Sequence, residues 1–174
     1  MIACLNRLLF RFGRARRGAI SVEFALLSIV AVTILFSGFE FGRYVLLSTK
    51  FDRAVTSIGD MVTQSAQVTG TDISEIFNAG LQIVQPYDLG SAGVVIVSHV
   101  TAKNKDDPYI TWQAKGVGSA SDASPTGAKG GKAKLPSYMT LDAGESVVVV
   151  ELTYKYTPML FDLLAVSTDI YRVS

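Results

Sequence analysis

Between Ala19 and Phe39 the chain runs for 21 residues with a single charge, Glu23. At 1.5 Å per residue, roughly 20 such residues carry a helix across a hydrocarbon core about 30 Å thick. Five arginines precede the run (Arg7, Arg11, Arg14, Arg16 and Arg17), and residues 1–18 contain no acid. Lys/Arg-rich flanks stay on the cytoplasmic side, so the expected topology has the leader inside and everything from Arg43 onward outside. An ionised side chain at the bilayer centre costs about 2.5–3.5 kcal/mol on insertion scales, and less near the edge. Glu23 lies near the start of the run, and that cost marks it as a candidate functional group.

Gly18-Ala19-Ile20-Ser21-Val22-Glu23-Phe24 resembles the processing site of type IV pilin-like proteins. The longer stretch from Arg16 to Leu27, with Phe39-Glu40-Phe41-Gly42-Arg43 a membrane thickness later, is similar to the TadE-like minor pseudopilins of tight-adherence (Tad, or Flp) pili. The resemblance implies that a membrane-embedded prepilin peptidase cuts between Gly18 and Ala19. Glu23 is then the fifth residue of the mature chain and acts, beside Phe24, in subunit assembly. The implied partners are that peptidase, other pilin or pseudopilin subunits and the inner-membrane assembly platform. The implied location is the bacterial inner membrane, crossed once with the head in the periplasm, or the extracellular pilus. One departure is visible: family members often carry a proline shortly after the Glu-Phe pair, and Ser28-Ile29 stands there instead.

Other readings of the N-terminus fit less well. A secretory signal has a 7–15-residue apolar core followed by a small-residue cleavage site. After Phe36 the chain reads Ser-Gly-Phe-Glu-Phe-Gly-Arg, with aromatics where small residues are needed. Cys4 has no apolar stretch before it and so is not a lipoprotein cysteine. Two alternatives stay open: an uncleaved single-pass protein with an adaptor or sensor head, and a pseudopilin of a type II secretion system.

The full chain has a formal charge of +1; without residues 1–18 it keeps 11 Lys+Arg against 15 Asp+Glu, a net −4. A mildly acidic domain lacks the basic stripe that nucleic acid requires. The only cysteine lies in the leader, so a processed chain has no thiol for a disulfide or a zinc site.

Helical periodicity continues beyond the apolar run. Leu47, Phe51, Val55, Ile58 and Val62 are spaced 4, 4, 3 and 4, one stripe of a helix, and no proline interrupts residues 19–66. A continuous helix of that length would reach roughly 70 Å. The expected organisation is a leader over 1–18, a transmembrane segment over 19–43, an amphipathic continuation over 44–66 and a head over 67–174. Glu40 and Arg43 have i,i+3 spacing at the outer end of the apolar run, as an exposed membrane-interface pair worth a few tenths of a kcal/mol, roughly.

In the head, Asp72 and Glu75 resemble a capping box that opens a helix, with Ile73, Ile76, Phe77, Leu81 and Val84 as its stripe and Pro86 at its end. Strands are expected at Val94–Val100, Tyr109–Lys115, Ser146–Tyr156 and about Val166–Val173. Ile110, Trp112 and Ala114 are expected on one face of the second. The third should place Val148, Val150, Leu152, Tyr154 and Tyr156 on one side and Glu151, Thr153 and Lys155 on the other. Thr157-Pro158 should open a short helix through Leu164. Residues 116–137, rich in Gly, Ser, Ala and Lys, have no apolar period and are expected to form a flexible loop. The expected fold is α+β: a pilin-like lollipop whose long N-terminal helix packs on a small antiparallel sheet of about four strands.

Signatures of catalysis are missing. His99 is the only histidine, so no histidine pair can hold a metal. There is no G-x-S-x-G elbow, and Gly127–Lys132 lacks the G-x-x-x-x-G-K-[ST] spacing. The expectation is a protein with no enzyme activity, metal or cofactor.

Overall fold

A computed structural model describes residues 16–65, 67–90, 92–105, 107–116, 118, 123–158 and 168–174. The leader arginines Arg7, Arg11 and Arg14, and the expected short helix after Pro158, lie outside the described residues. The elements in chain order are α1 (Arg16–Gln64), α2 (Gly70–Val84), β1 (Gly93–Ala102), β2 (Pro108–Gly116), β3 (Ser146–Tyr156) and β4 (Thr168–Val173). The fold is α+β: among the described residues there are two helices and one four-stranded antiparallel sheet in the order β2-β1-β3-β4. The chain divides into two compact units, Met1–Arg43 and Tyr44–Ser174.

In the second unit the stripe read from the sequence is the buried one. Leu47, Phe51, Ala54, Val55, Ile58 and Val62 are buried in one cluster with Val95 and Val97 of β1, Val150 and Leu152 of β3, and Ile170 of β4. These strand residues pair directly, Val97 with Val150 and Val95 with Leu152, so they share a face. Helix α2 joins the same cluster through Ile76, Phe77 and Val84. Arg172 of β4 bonds Asp52 of α1 through Nε at 2.7 Å and donates to Ser48 Oγ as well.

The start of α2 lies earlier than the expected Asp72–Glu75 box. Thr69 is the N-cap, and its Oγ1 accepts the Asp72 N–H while the Asp72 carboxylate accepts the Thr69 N–H at 2.8 Å. Threonine is the better cap, and this register puts an acid on the first turn of the helix. The Asp72 carboxylate also accepts from Thr69 Oγ1 at 2.7 Å, and the bonds it accepts from Thr69, backbone N–H first and hydroxyl second, hold the carboxyl below its usual range.

Strand β2 does not alternate as its sequence suggests. His99 pairs with Trp112 but Val100 pairs with Ile110, so Thr111 is an extra residue in the ladder. A bulge of this kind switches the side on which following residues point. Trp112 and Ala114 therefore pack toward the helices, while Ile110 is buried on the opposite face with Val100, Ala102, Ala133, Leu141 and Val149.

That second face is covered by the segment expected to be a loop. Its described part, residues 123–137, has loop geometry, but its backbone is tied to the edge of β2. Ile110 N–H donates to Gly131 O at 3.0 Å, Gly130 N–H to Ile110 O at 2.8 Å, and Ala133 N–H to Pro108 O at 2.9 Å. Glu151 fastens the other side. It is 1 % exposed, and it accepts from Thr126 N at 3.1 Å, Thr126 Oγ1 at 2.8 Å, Tyr171 Oη at 2.7 Å and Ser124 Oγ. Four donors on two oxygens is the pattern that an acceptor-only carboxylate requires. Strand alternation put Glu151 on the face away from the helices, and the covering segment makes that face interior too.

Glycines mark where the layers approach most closely. A methyl group on Gly116 would meet ring atoms of Phe77 at 2.0–2.5 Å, whereas one on Gly59 would meet only Val150 Cγ2, at 3.6 Å. Gly116→Ala should therefore lower stability by about 1–3 kcal/mol through overpacking. Gly59→Ala should be neutral or stabilising by up to about 1 kcal/mol through helix propensity. Chemical denaturation of the two variants checks the contrast; equal effects would contradict this packing.

Burial raises the pKa of the Tyr171 hydroxyl above its usual 10, helped by the hydrogen bond to Glu151 and the charge on it, with a smaller opposing effect from Thr126. A proton held more tightly in the folded than in the unfolded state stabilises fully below the unfolded value and is lost as pH rises past it. The stability advantage of wild type over Tyr171→Phe should thus be constant up to about pH 9 and shrink above about pH 10. Denaturant midpoints measured across that range test this, and a difference independent of pH would contradict it.

Candidate membrane and assembly segment

Residues 16–43 of α1 carry the candidate site. The run from Gly18 contains a window of mean hydropathy 2.4 with no residue buried, long and apolar enough to span a membrane. Phe24, Leu26, Ile29, Ile34 and Leu35 are each more than 60 % exposed and lie on all sides of the helix. An α-helix that is apolar all round belongs in a core or a membrane.

The polar side chains of the run are fitted to an apolar phase. Ser28 Oγ donates to Ala25 O, Thr33 Oγ1 to Ile29 O and Ser37 Oγ to Thr33 O, each at 2.8 Å. Each hydroxyl hydrogen is returned to the helix's own backbone, and in lipid no water would be present to take it. Ser28, at the stretch where the family's proline is often found, contributes one of these bonds.

Gly18 and Ala19 lie in the first turns of α1, and among the described residues nothing beyond Gly18's chain neighbours and the backbone of its own helix lies within 4 Å of where a Gly18 Cβ would stand. The side chains of Arg16 and Arg17 lie outside the described residues. Glu23 is exposed, four residues after Ala19 and so on the same helical face, with exposed Phe24 beside it. Were the chain to begin at Ala19, this carboxylate would stand one turn from the positive end of the helix dipole, where an anion is favoured.

At the other end of the run, Arg43 Nη1 lies 3.3 Å from Glu40 Oε1, as the i,i+3 spacing suggested. Glu40 is buried rather than exposed at 9 %. Sequence spacing identifies such a pair but carries no signal for its burial. Glu151 and its hydroxyl partners were missed for the same reason: Ser124 and Thr126 stand in a stretch with no pattern to place them. Among the described residues no cluster of three or more His, Cys, Asp or Glu is placed to hold a metal.

Residues 18–58 match the family model of the TadE-like proteins. The similarity read from the Gly18–Phe24 motif therefore holds over 41 residues, through the apolar run and into the amphipathic part of α1. No curated protein and no solved structure matches the chain.

Proposed function

We propose that this protein is a minor pseudopilin of a Tad (Flp) pilus, taking part in its biogenesis or at its tip, and supporting attachment to surfaces. The observation that carries the reading is the match beginning at Gly18 on a helix whose large apolar side chains from Ile20 to Phe39 are unburied. In this reading a prepilin peptidase removes residues 1–18, the leader stays cytoplasmic and the head lies in the periplasm. The protein is a substrate of an enzyme rather than an enzyme, and it needs no cofactor.

Cleavage frees the α-amine of Ala19, whose ordinary pKa of about 7.7–8.0 leaves it largely cationic at neutral pH. Glu23 of one subunit neutralises the amine of a neighbour in the apolar phase. Removing one partner of such a pair strands a charge and costs about 3–5 kcal/mol. Assembly is thereby tied to processing, because an uncut leader offers no amine at Ala19 and keeps its arginines at the cytoplasmic surface.

Two measurements on protein from its own cells test this. Intact mass should correspond to residues 19–174; a full-length mass in the presence of active peptidase would favour the uncleaved anchor. Glu23→Gln removes a charge from a membrane helix, so insertion and cleavage should proceed normally. Co-purification of partner pilins, normalised to membrane abundance, should fall at least about tenfold, well within what loss of a buried pair allows. Wild-type recovery would contradict the pairing mechanism.

A further inference from the structure

On the helix-covered face of the sheet, within the unit Tyr44–Ser174, two hollows of about 500 Å³ and about 240 Å³ adjoin, sharing Val68 and Trp112. Both lie along the link between α1 and α2, and the larger extends over His99 and Ser146. Trp112 is the only tryptophan in the chain, and the bulge at Thr111 is what turns it to this side.

The bulge also sets the chemistry of His99. The imidazole lies parallel to the Trp112 indole, 3° between planes and 6.3 Å between centroids. Thr111 Oγ1 lies 3.0 Å from His99 O and 2.6 Å from His99 Nδ1, so the contact occupies Nδ1 in either tautomer. Nε2 is then the ring nitrogen left for a ligand, as acceptor in one tautomer and as N–H donor in the other. Gln67, exposed on the link, supplies an amide with both donors and an acceptor.

Charge is absent from the lining of both hollows among the described residues. The one feature that favours an anion, the start of α2, is already occupied by the Asp72 carboxylate. An anionic ligand would meet that acid rather than free N–H groups.

We propose that this cleft binds a neutral carbohydrate chain, with Trp112 as its stacking platform and His99 Nε2 and Gln67 as its polar contacts. Sugar rings present C–H faces of partial positive charge, which the negative face of an indole attracts. Their hydroxyls donate and accept at once, matching an amide beside a ring nitrogen of either role. Binding pockets are typically about 300–1,000 Å³; the larger hollow falls in that range, and two adjoining hollows that share one tryptophan suit successive units of a chain. The site is separate from the membrane segment and independent of how that segment is used.

Trp112 is its own reporter. Cellohexaose, maltohexaose and chitohexaose are titrated into the full-length protein in a zwitterionic detergent without a sugar headgroup, and tryptophan emission is followed. At least one should give a saturable change. Gln67→Ala and His99→Phe, which keep the fluorophore, should each weaken binding about three- to tenfold, the worth of one hydrogen bond. Trp112→Leu, read by calorimetry, should abolish it. No saturable change with any of the three, binding unaltered in both polar variants, or equal binding of anionic polygalacturonate would each overturn the proposal.

Discussion

An apolar stretch that the other described residues of its unit leave uncovered is the constraint on which this molecule turns. From Ile20 to Phe39 the large side chains of α1 stand exposed, and each costs about 1.5–3 kcal/mol if left in water. In water the stretch would therefore be driven toward lipid or toward association with other apolar surface. The three hydroxyls that bond back to the helix have their hydrogens placed without water. Two surroundings satisfy such a helix: lipid and the apolar interior of an assembly. Glu23 is the exception that gives the segment direction, since its charge is tolerated only near the edge of the apolar phase or beside a cation.

The head solves a different burial problem. Its sheet is apolar on both faces, and two helices cover only one. The other is closed by an irregular segment with little apolar content of its own, held by backbone bonds to β2 and by the hydroxyls gathered on Glu151. The domain thereby has a second core, around Val100, Ile110 and Leu141, closed by a segment fastened by hydrogen bonds. The cost is a buried acid, and the ring of donors offsets it.

Much of this was legible in the residues. The stripe from Leu47 to Val62, the β-branched runs and the Gly18–Phe24 motif each carry a period or spacing that one physical requirement imposes, and the helix and the four strands follow from them. What was not legible depends on partners distant in sequence. Even spacing assigned Ile110 and Trp112 to one face, and the bulge at Thr111 separates them; a bulge is a property of two strands in register, which one strand's pattern does not contain. Alternation put Glu151 on the face opposite Val150 and Leu152, but alternation names a face without saying what covers it. The Asp72 cap was displaced by three residues because Thr69 forms the same reciprocal bonds with a better side chain. In the membrane segment, spacing identified the Glu40–Arg43 pair but not its burial.

The claim that residues 19–39 occupy an apolar phase is open to direct measurement. In a Cys4→Ser background, spin labels are placed singly at Leu26→Cys, Val30→Cys, Ile34→Cys and Asp60→Cys, and the protein is reconstituted in lipid bilayers. Collision with dissolved oxygen and with a water-soluble nickel complex is then compared. Oxygen access should be greatest and nickel access least at Val30, near the middle of the run, with the reverse at Asp60. Nickel access at Val30 equal to that at Asp60 would contradict the account.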